Sequence, residues 1–123
     1  MTIVDSSSWI EALRERGSSA VRSRVESLLS AGEAAWCPMV RLELWRGVRN
    51  GAERRFLELL EQRVDSFDIN NAVWDAAIDL MNKARGSGLT APSTDVLIVA
   101  TAHYHGVQLE HCDQHMDHLL KLV

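Results

Sequence analysis

Thr2-Ile3-Val4-Asp5-Ser6-Ser7-Ser8-Trp9-Ile10 carries the first strand-to-helix joint of the chain. Thr2-Ile3-Val4 suits a short buried strand, and an acid ends it. Three serines, favoured at helix starts, follow. Trp9, Ile10 and Leu13 then recur at the spacing of one helix face. A strand that passes through a polar joint into a helix is the repeating unit of α/β sheets. The same punctuation returns further on. Ala34-Ala35-Trp36-Cys37 is a second apolar strand, followed by Pro38, which fits the first turn of a helix. Val107-Gln108-Leu109 is a strand ahead of Asp113 and a closing helix carrying Met116, Leu119 and Leu120.

Between these anchors the periodicity is helical. Val21, Val25, Leu28 and Leu29 make a stripe closed by Gly32. Val40, Leu44 and Val48 predict a helix to about Arg49, and Asn50-Gly51 is a turn. Phe56, Leu59 and Leu60 mark the next helix. Val64 to Ile69 alternates and reads as a third strand. Val73, Ala76, Ala77, Leu80, Met81 and Ala84 form an amphipathic stripe. Pro92-Ser93-Thr94-Asp95 opens a helix that is apolar nearly all round through Ala102, hence central. Leu122-Val123 reads as a last edge strand. The expected architecture is a three-layer α/β/α sandwich, one domain over residues 1–123, with a mostly parallel sheet of four or five strands.

Composition narrows the class. A chain of 123 residues with 46% hydrophobic content can bury a real core. No apolar run approaches membrane-spanning length, and no signal-peptide pattern opens the sequence, so a cytoplasmic location without membrane partners is expected. Cys37 and Cys112 form no metal-ligand pattern and read as free thiols. The net charge of −4 argues against a generic nucleic-acid coat protein. However, Arg41, Arg46, Arg49, Arg54 and Arg55 crowd one segment, opposed there by Glu43 and Glu53 alone. That segment is either a phosphate-contacting patch or a solvated helix face.

Asp5, Glu43, Asp95 and Asp113 each interrupt an apolar or small-residue stretch where a strand ends or a helix begins. In such a sheet, sites form beyond the carboxyl ends of the strands, where these four acids can converge. Clustered carboxylates repel one another and lose hydration. A hard divalent cation, Mg²⁺ or Mn²⁺, offsets both effects with oxygen ligands. Setting the four aside leaves 13 acids against 13 Lys and Arg, so an ion there would govern what a polyanion meets. Singly, each acid has a plainer reading: Asp5 and Asp95 as helix caps, Glu43 as the partner of Arg41 or Arg46, Asp113 as a turn residue.

Four blocks in order resemble the PIN-domain family, most nearly its VapC-type toxins. They are Val4-Asp5-Ser6-Ser7, Arg41-Leu42-Glu43-Leu44-Trp45-Arg46-Gly47, Thr94-Asp95 through Ala102, and Leu109-Glu110-His111-Cys112-Asp113-Gln114-His115-Met116. The resemblance implies a Mg²⁺- or Mn²⁺-dependent endoribonuclease, inhibited by a cognate antitoxin and forming a homodimer. It implies Asp5, Glu43, Asp95 and Asp113 as catalytic metal ligands and Ser7 as a supporting hydroxyl, with Asp117 as an alternative or auxiliary fourth carboxylate. Arg46, Arg49, Arg54 and Arg55 are the matching candidates for RNA contact. His111 and Met116 depart from the family pattern, and His115 stands where a second acid or a His is common.

Other readings fit less well. A zinc site from His111, Cys112, His115 and His118 would set soft ligands apart from the four carboxylates. A receiver-type phosphoacceptor domain needs an adjacent acidic pair after strand one, where Asp5 is followed by Ser6. A dehalogenase-type phosphatase wants an Asp at the position of Ser7. The non-enzyme alternative, a PIN-like module that binds RNA or antitoxin without cutting, is opposed by the presence of all four acids. The apolar residues of the first two helices, Trp9 to Leu29, also exceed what so small a domain buries easily, which predicts a partner groove there.

Overall fold

A computed structural model describes residues Met1–Val123. Its elements in chain order are β1 (Thr2–Val4), α1 (Ser6–Leu13), α2 (Ser19–Ser30), β2 (Ala34–Trp36), α3 (Pro38–Arg46) and α4 (Gly51–Arg63). There follow β3 (Asp65–Ser66), α5 (Asn71–Gly86), α6 (Ser93–His105), β4 (Gln108–Glu110) and α7 (Gln114–Leu120). The four strands lie in the order β3-β2-β1-β4, every pair parallel. Parallel strands need crossovers, and the helices between successive strands supply them. All three residues of β1 are buried, as a strand covered on both faces requires. Ile3 packs with Ala35 and Ala102, while Val4 joins the larger cluster around Trp9, Trp36 and Ile98.

The strand order places the site. The chain steps from β1 outward to β2 and β3, then jumps back across β1 to add β4. The crevice between the carboxyl ends of β1 and β4 is therefore the topological switch point, where α/β sheets bind ligands. Asp5 follows β1 and Asp113 follows β4 closely, so both reach that crevice. The helix α6 is buried continuously from Asp95 to Ala102, which explains its unbroken apolar sequence.

Some expected boundaries move. The third strand is only Asp65–Ser66, because the Val64 amide still closes α4 on the Leu60 carbonyl. Leu122-Val123 forms no strand; the Leu122 amide bonds to Leu119 in a turn after α7, and the sheet has four strands, not five. The helix α3 ends at Arg46, with Gly47 as its cap, short of Arg49. The cap of α1 is Asp5 rather than the serines.

Gly106 ends α6 in the left-handed conformation, at φ 67°. A Cβ at this position would meet open space, so its cost is backbone strain alone. Gly106→Ala is therefore expected to destabilise the fold by about 1 kcal/mol, read as a melting temperature lower by roughly 4 °C. A loss several times larger would show that Gly106 carries packing as well.

Candidate metal centre

Asp5 combines two tasks. Its Oδ2 accepts the Ser7 amide at 3.0 Å and so caps α1, and it also accepts the Ser7 hydroxyl. Its other oxygen, Oδ1, is buried without any hydrogen-bond partner, in a residue only 3% exposed. Capping alone leaves that oxygen unexplained. Ser7 Oγ in turn accepts the Cys112 amide at 3.1 Å, which ties the start of α1 to the segment after β4. Ser7 is thus a positioning residue between the two strand ends.

Glu43 projects from α3 and accepts a hydrogen bond from Ser6 Oγ at 3.1 Å. The expected plain partners do not hold it. Arg41 is paired with Glu61, and no ion pair joins Glu43 to Arg46. Ser6 reads in sequence as one of three helix-start serines, which leaves its bond to Glu43 unseen. Its role could have been inferred only from the pairing of α1 with α3, which is long-range in sequence.

Asp95 lies in the first turn of α6, three residues after the cap Pro92, and makes no capping bond. Its plain reading as a cap therefore fails. Asp113 does cap α7, through a bond from the His115 amide to Oδ1 at 2.8 Å. One potential ligand atom each from Asp95, Asp113 and His115 lie within 4.8 Å of one another. Asp117 lies outside this group, its carboxylate 3.2 Å from His111 Nε2 and largely solvent-facing.

The arginine patch is partly neutralised. Arg41 pairs with Glu61, Arg49 with Glu53 at 3.2 Å, and Arg54 with Glu58 at 3.2 Å. Arg46 and Arg55 enter no ion pair. Beside the patch, Ile10 and Leu13 of α1, Leu44 of α3, Val48, and Phe56 and Leu57 of α4 line an apolar groove of about 520 Å³. Glu43 also lines it, so the groove runs up to the carboxylates. The expected groove on α1 and α2 moves accordingly: Val21 and Val25 are core residues, and Leu28 and Leu29 pack against the core. Ile10 and Leu13, each 50% exposed, face α3 and α4 instead.

The PIN domain family profile matches residues 2–121. Ribonuclease VapC11 of Mycobacterium tuberculosis is 32% identical over 126 aligned residues, covering 99% of this chain and 93% of that protein. The chain belongs to the PIN-domain family. Among solved structures, VapBC-1 from nontypeable Haemophilus influenzae aligns with a TM-score of 0.77 at 19% identity, covering 98% of this chain and 92% of that one. FitAcB from Neisseria gonorrhoeae aligns at 0.74 and 22%, covering 98% and 94%. These likenesses establish the PIN fold in all three layers. No helix of this PIN domain is long and apolar enough to cross a membrane.

The electrostatics of the PIN centre agree with its crowding. Burial, then the charges of Asp113, Asp5 and Glu43, push the Asp95 carboxyl up to about 6. Burial likewise pushes Glu43 above the usual range, a shift that the Ser6 hydrogen bond and the charge of Arg46 oppose and Asp5 reinforces. The four acids thus sense one another across the crevice. A divalent ion fits this donor set: it would give the orphaned Asp5 Oδ1 a partner and relieve the repulsion around Asp95.

The raised Asp95 value has a stability consequence in metal-stripped protein. Its folded value exceeds the unfolded one, so its contribution is fully present below about pH 4 and lost as pH rises through about 6. Asp95→Asn does not titrate. Relative to wild type, the chelated variant is expected to gain on the order of 2 kcal/mol between about pH 4 and 7, with no gain below pH 4. Urea unfolding in chelator across this range tests it. A pH-independent difference between the two proteins would contradict the crowding.

Proposed function

We propose that this PIN domain is an endoribonuclease and the toxin of a toxin–antitoxin pair, with Asp5, Glu43, Asp95 and Asp113 holding Mg²⁺ or Mn²⁺. The observation that carries the reading is the buried, unpartnered Asp5 Oδ1 beside three further carboxylates from separate elements. The 32% identity to proteins named ribonucleases, along nearly the whole chain, supports RNA as the substrate. When bound, the ion supplies Lewis-acid activation of phosphate and water. The chain's own residues prepare the centre. Ser7 holds Asp5 against the segment after β4, Ser6 holds Glu43, and the α7 cap holds Asp113. These three carboxylates are thereby oriented before any substrate arrives, and less ordering remains for the reaction.

RNA would approach over the α3–α4 arginines. Exposed pairs such as Arg49–Glu53 and Arg54–Glu58 are weak and open readily to phosphate. Arg46 and Arg55 enter no ion pair and should contribute most. Removing both is expected to lower cleavage about tenfold on every RNA, keep the cut site, and reduce the salt slope by about one to two. Unchanged activity and salt slope after removing all four of Arg46, Arg49, Arg54 and Arg55 would return the patch to a solvated face.

The toxin role rests on the groove. The neighbours described as VapBC and FitAB assemblies make a paired antitoxin the fitting occupant. An amphipathic segment could cover Ile10, Leu13 and Phe56 and bring a basic side chain among the carboxylates. Co-expression with a small protein encoded beside this one tests the role. Co-purification with loss of RNA cleavage is expected; a free, fully active PIN domain would contradict the toxin role and leave the nuclease intact.

A further inference from the structure

We propose that the His115 imidazole is a direct ligand of the ion at this centre and biases it toward Mn²⁺ over Mg²⁺. The inference rests on the divalent-ion reading above; it adds a nitrogen ligand and an ion preference that the carboxylates do not specify. His115 lies in the first turn of α7, two residues after the cap Asp113. A ring nitrogen, one Asp95 oxygen and one Asp113 oxygen lie mutually within 4.8 Å. Ligands on opposite sides of one small divalent ion stand roughly 4 Å apart, so only small adjustments would close the three on an ion. The orphaned Oδ1 of Asp5, in a residue 3% exposed, lies among the same carboxylates and independently calls for a cation.

The charged side chain that His115 meets is Asp113, itself a carboxylate of the same centre. Its Nδ1 stands 3.2 Å from Asp113 Oδ1, and the side chain is 51% exposed, so an entering ion meets it without disturbing the core. His111 is engaged by Asp117 at 3.2 Å.

Ion preference follows from donor chemistry. Mg²⁺ is a hard ion that prefers oxygen and gives up water reluctantly. Imidazole nitrogen suits Zn, Cu, Fe and Ni best, and Mn²⁺, the weakest-binding of that first-row series, still accepts it more readily than Mg²⁺ does. A nitrogen donor added to a carboxylate set therefore strengthens Mn²⁺ binding and does little for Mg²⁺.

Pulsed electron paramagnetic resonance on the metal-stripped full chain, reloaded with Mn²⁺, reads the ligand directly. A coupling from histidine nitrogen, changed by ¹⁵N-histidine labelling and lost in His115→Ala, is expected. Calorimetry supplies the preference: His115→Ala should weaken Mn²⁺ binding about tenfold and Mg²⁺ binding by less than about twofold. His115→Asp should restore binding and favour Mg²⁺ relative to wild type. No histidine coupling in the wild type, a coupling that survives in His115→Ala, or equal losses for both ions would overturn the proposal. Failure of the wild type to bind either ion would overturn the whole centre. A Mn²⁺-loaded protein that shows the coupling but cuts no RNA would support His115 and contradict the nuclease reading alone.

Discussion

Saturating Mn²⁺ is expected to raise the melting temperature of the metal-stripped protein by roughly 10 °C, since an ion at a hundred times its Kd adds about 2.7 kcal/mol. Asp5→Asn, Glu43→Gln and Asp95→Asn should each lose most of that rise. Asparagine is the informative replacement at Asp5. Its amide oxygen can still accept the Ser7 amide and hydroxyl, so the cap on α1 survives while the charge goes. At Asp95 the loss of charge should raise the stability of the stripped protein, because that carboxylate is held near 6 by burial and its neighbours. The variants would thus be as stable as wild type, or more so, without ion and less stable with it. Equal metal shifts in all four proteins would mean that the carboxylates do not share one ion.

Leu13→Asp is expected to weaken binding of a cognate antitoxin by at least about a hundredfold, as loss of a central apolar anchor does at other interfaces. Leu13 is half exposed and lies on the groove wall with Ile10, opposite Phe56 and Leu57. Its substitution should leave the fold and the carboxylates untouched. RNA cleavage by the free protein should therefore persist while inhibition is lost. The matched control is Leu42→Asp, at a residue 62% exposed and outside the groove. Equal effects of the two substitutions on partner affinity would remove the groove from the interface.

Much of this fold can be read locally. Strand, acid and helix opening at Thr2–Trp9 need only short-range rules, as does the buried α6, whose apolar run has no polar face to present. The helix stops at Gly32 and Gly106 follow from a residue type suited to positive φ. The errors lie where neighbours decide. The alternation at Val64–Ile69 reads as a full strand, yet Val64 still closes α4 and only Asp65–Ser66 stand in register with β2. Ile10 and Leu13 share the helical spacing of Trp9, yet Trp9 is fully buried and they are not. Periodicity marks a face and cannot say whether the domain or a partner covers it.

The candidate site shows the same division. All four acids are visible as interruptions of apolar sequence, and the family blocks put them in order. Their plain alternatives are separable only in three dimensions, through the free Oδ1 of Asp5, the uncapped Asp95 and the Ser6 bond to Glu43. The hydroxyls of Ser6 and Ser7 look like interchangeable cap residues in sequence. They take different partners because α3 lies on one side of the α1 start and the segment after β4 on the other.

Cleavage of a labelled RNA by metal-stripped protein, with and without added Mn²⁺, decides whether this centre is a ribonuclease site. No cleavage is expected in chelator, with cleavage on return of Mn²⁺ and a loss of at least about a hundredfold in Asp95→Asn at the same ion concentration. Cleavage that persists in chelator, or that Asp95→Asn retains in full, would contradict a ribonuclease centre built on Asp5, Glu43, Asp95 and Asp113.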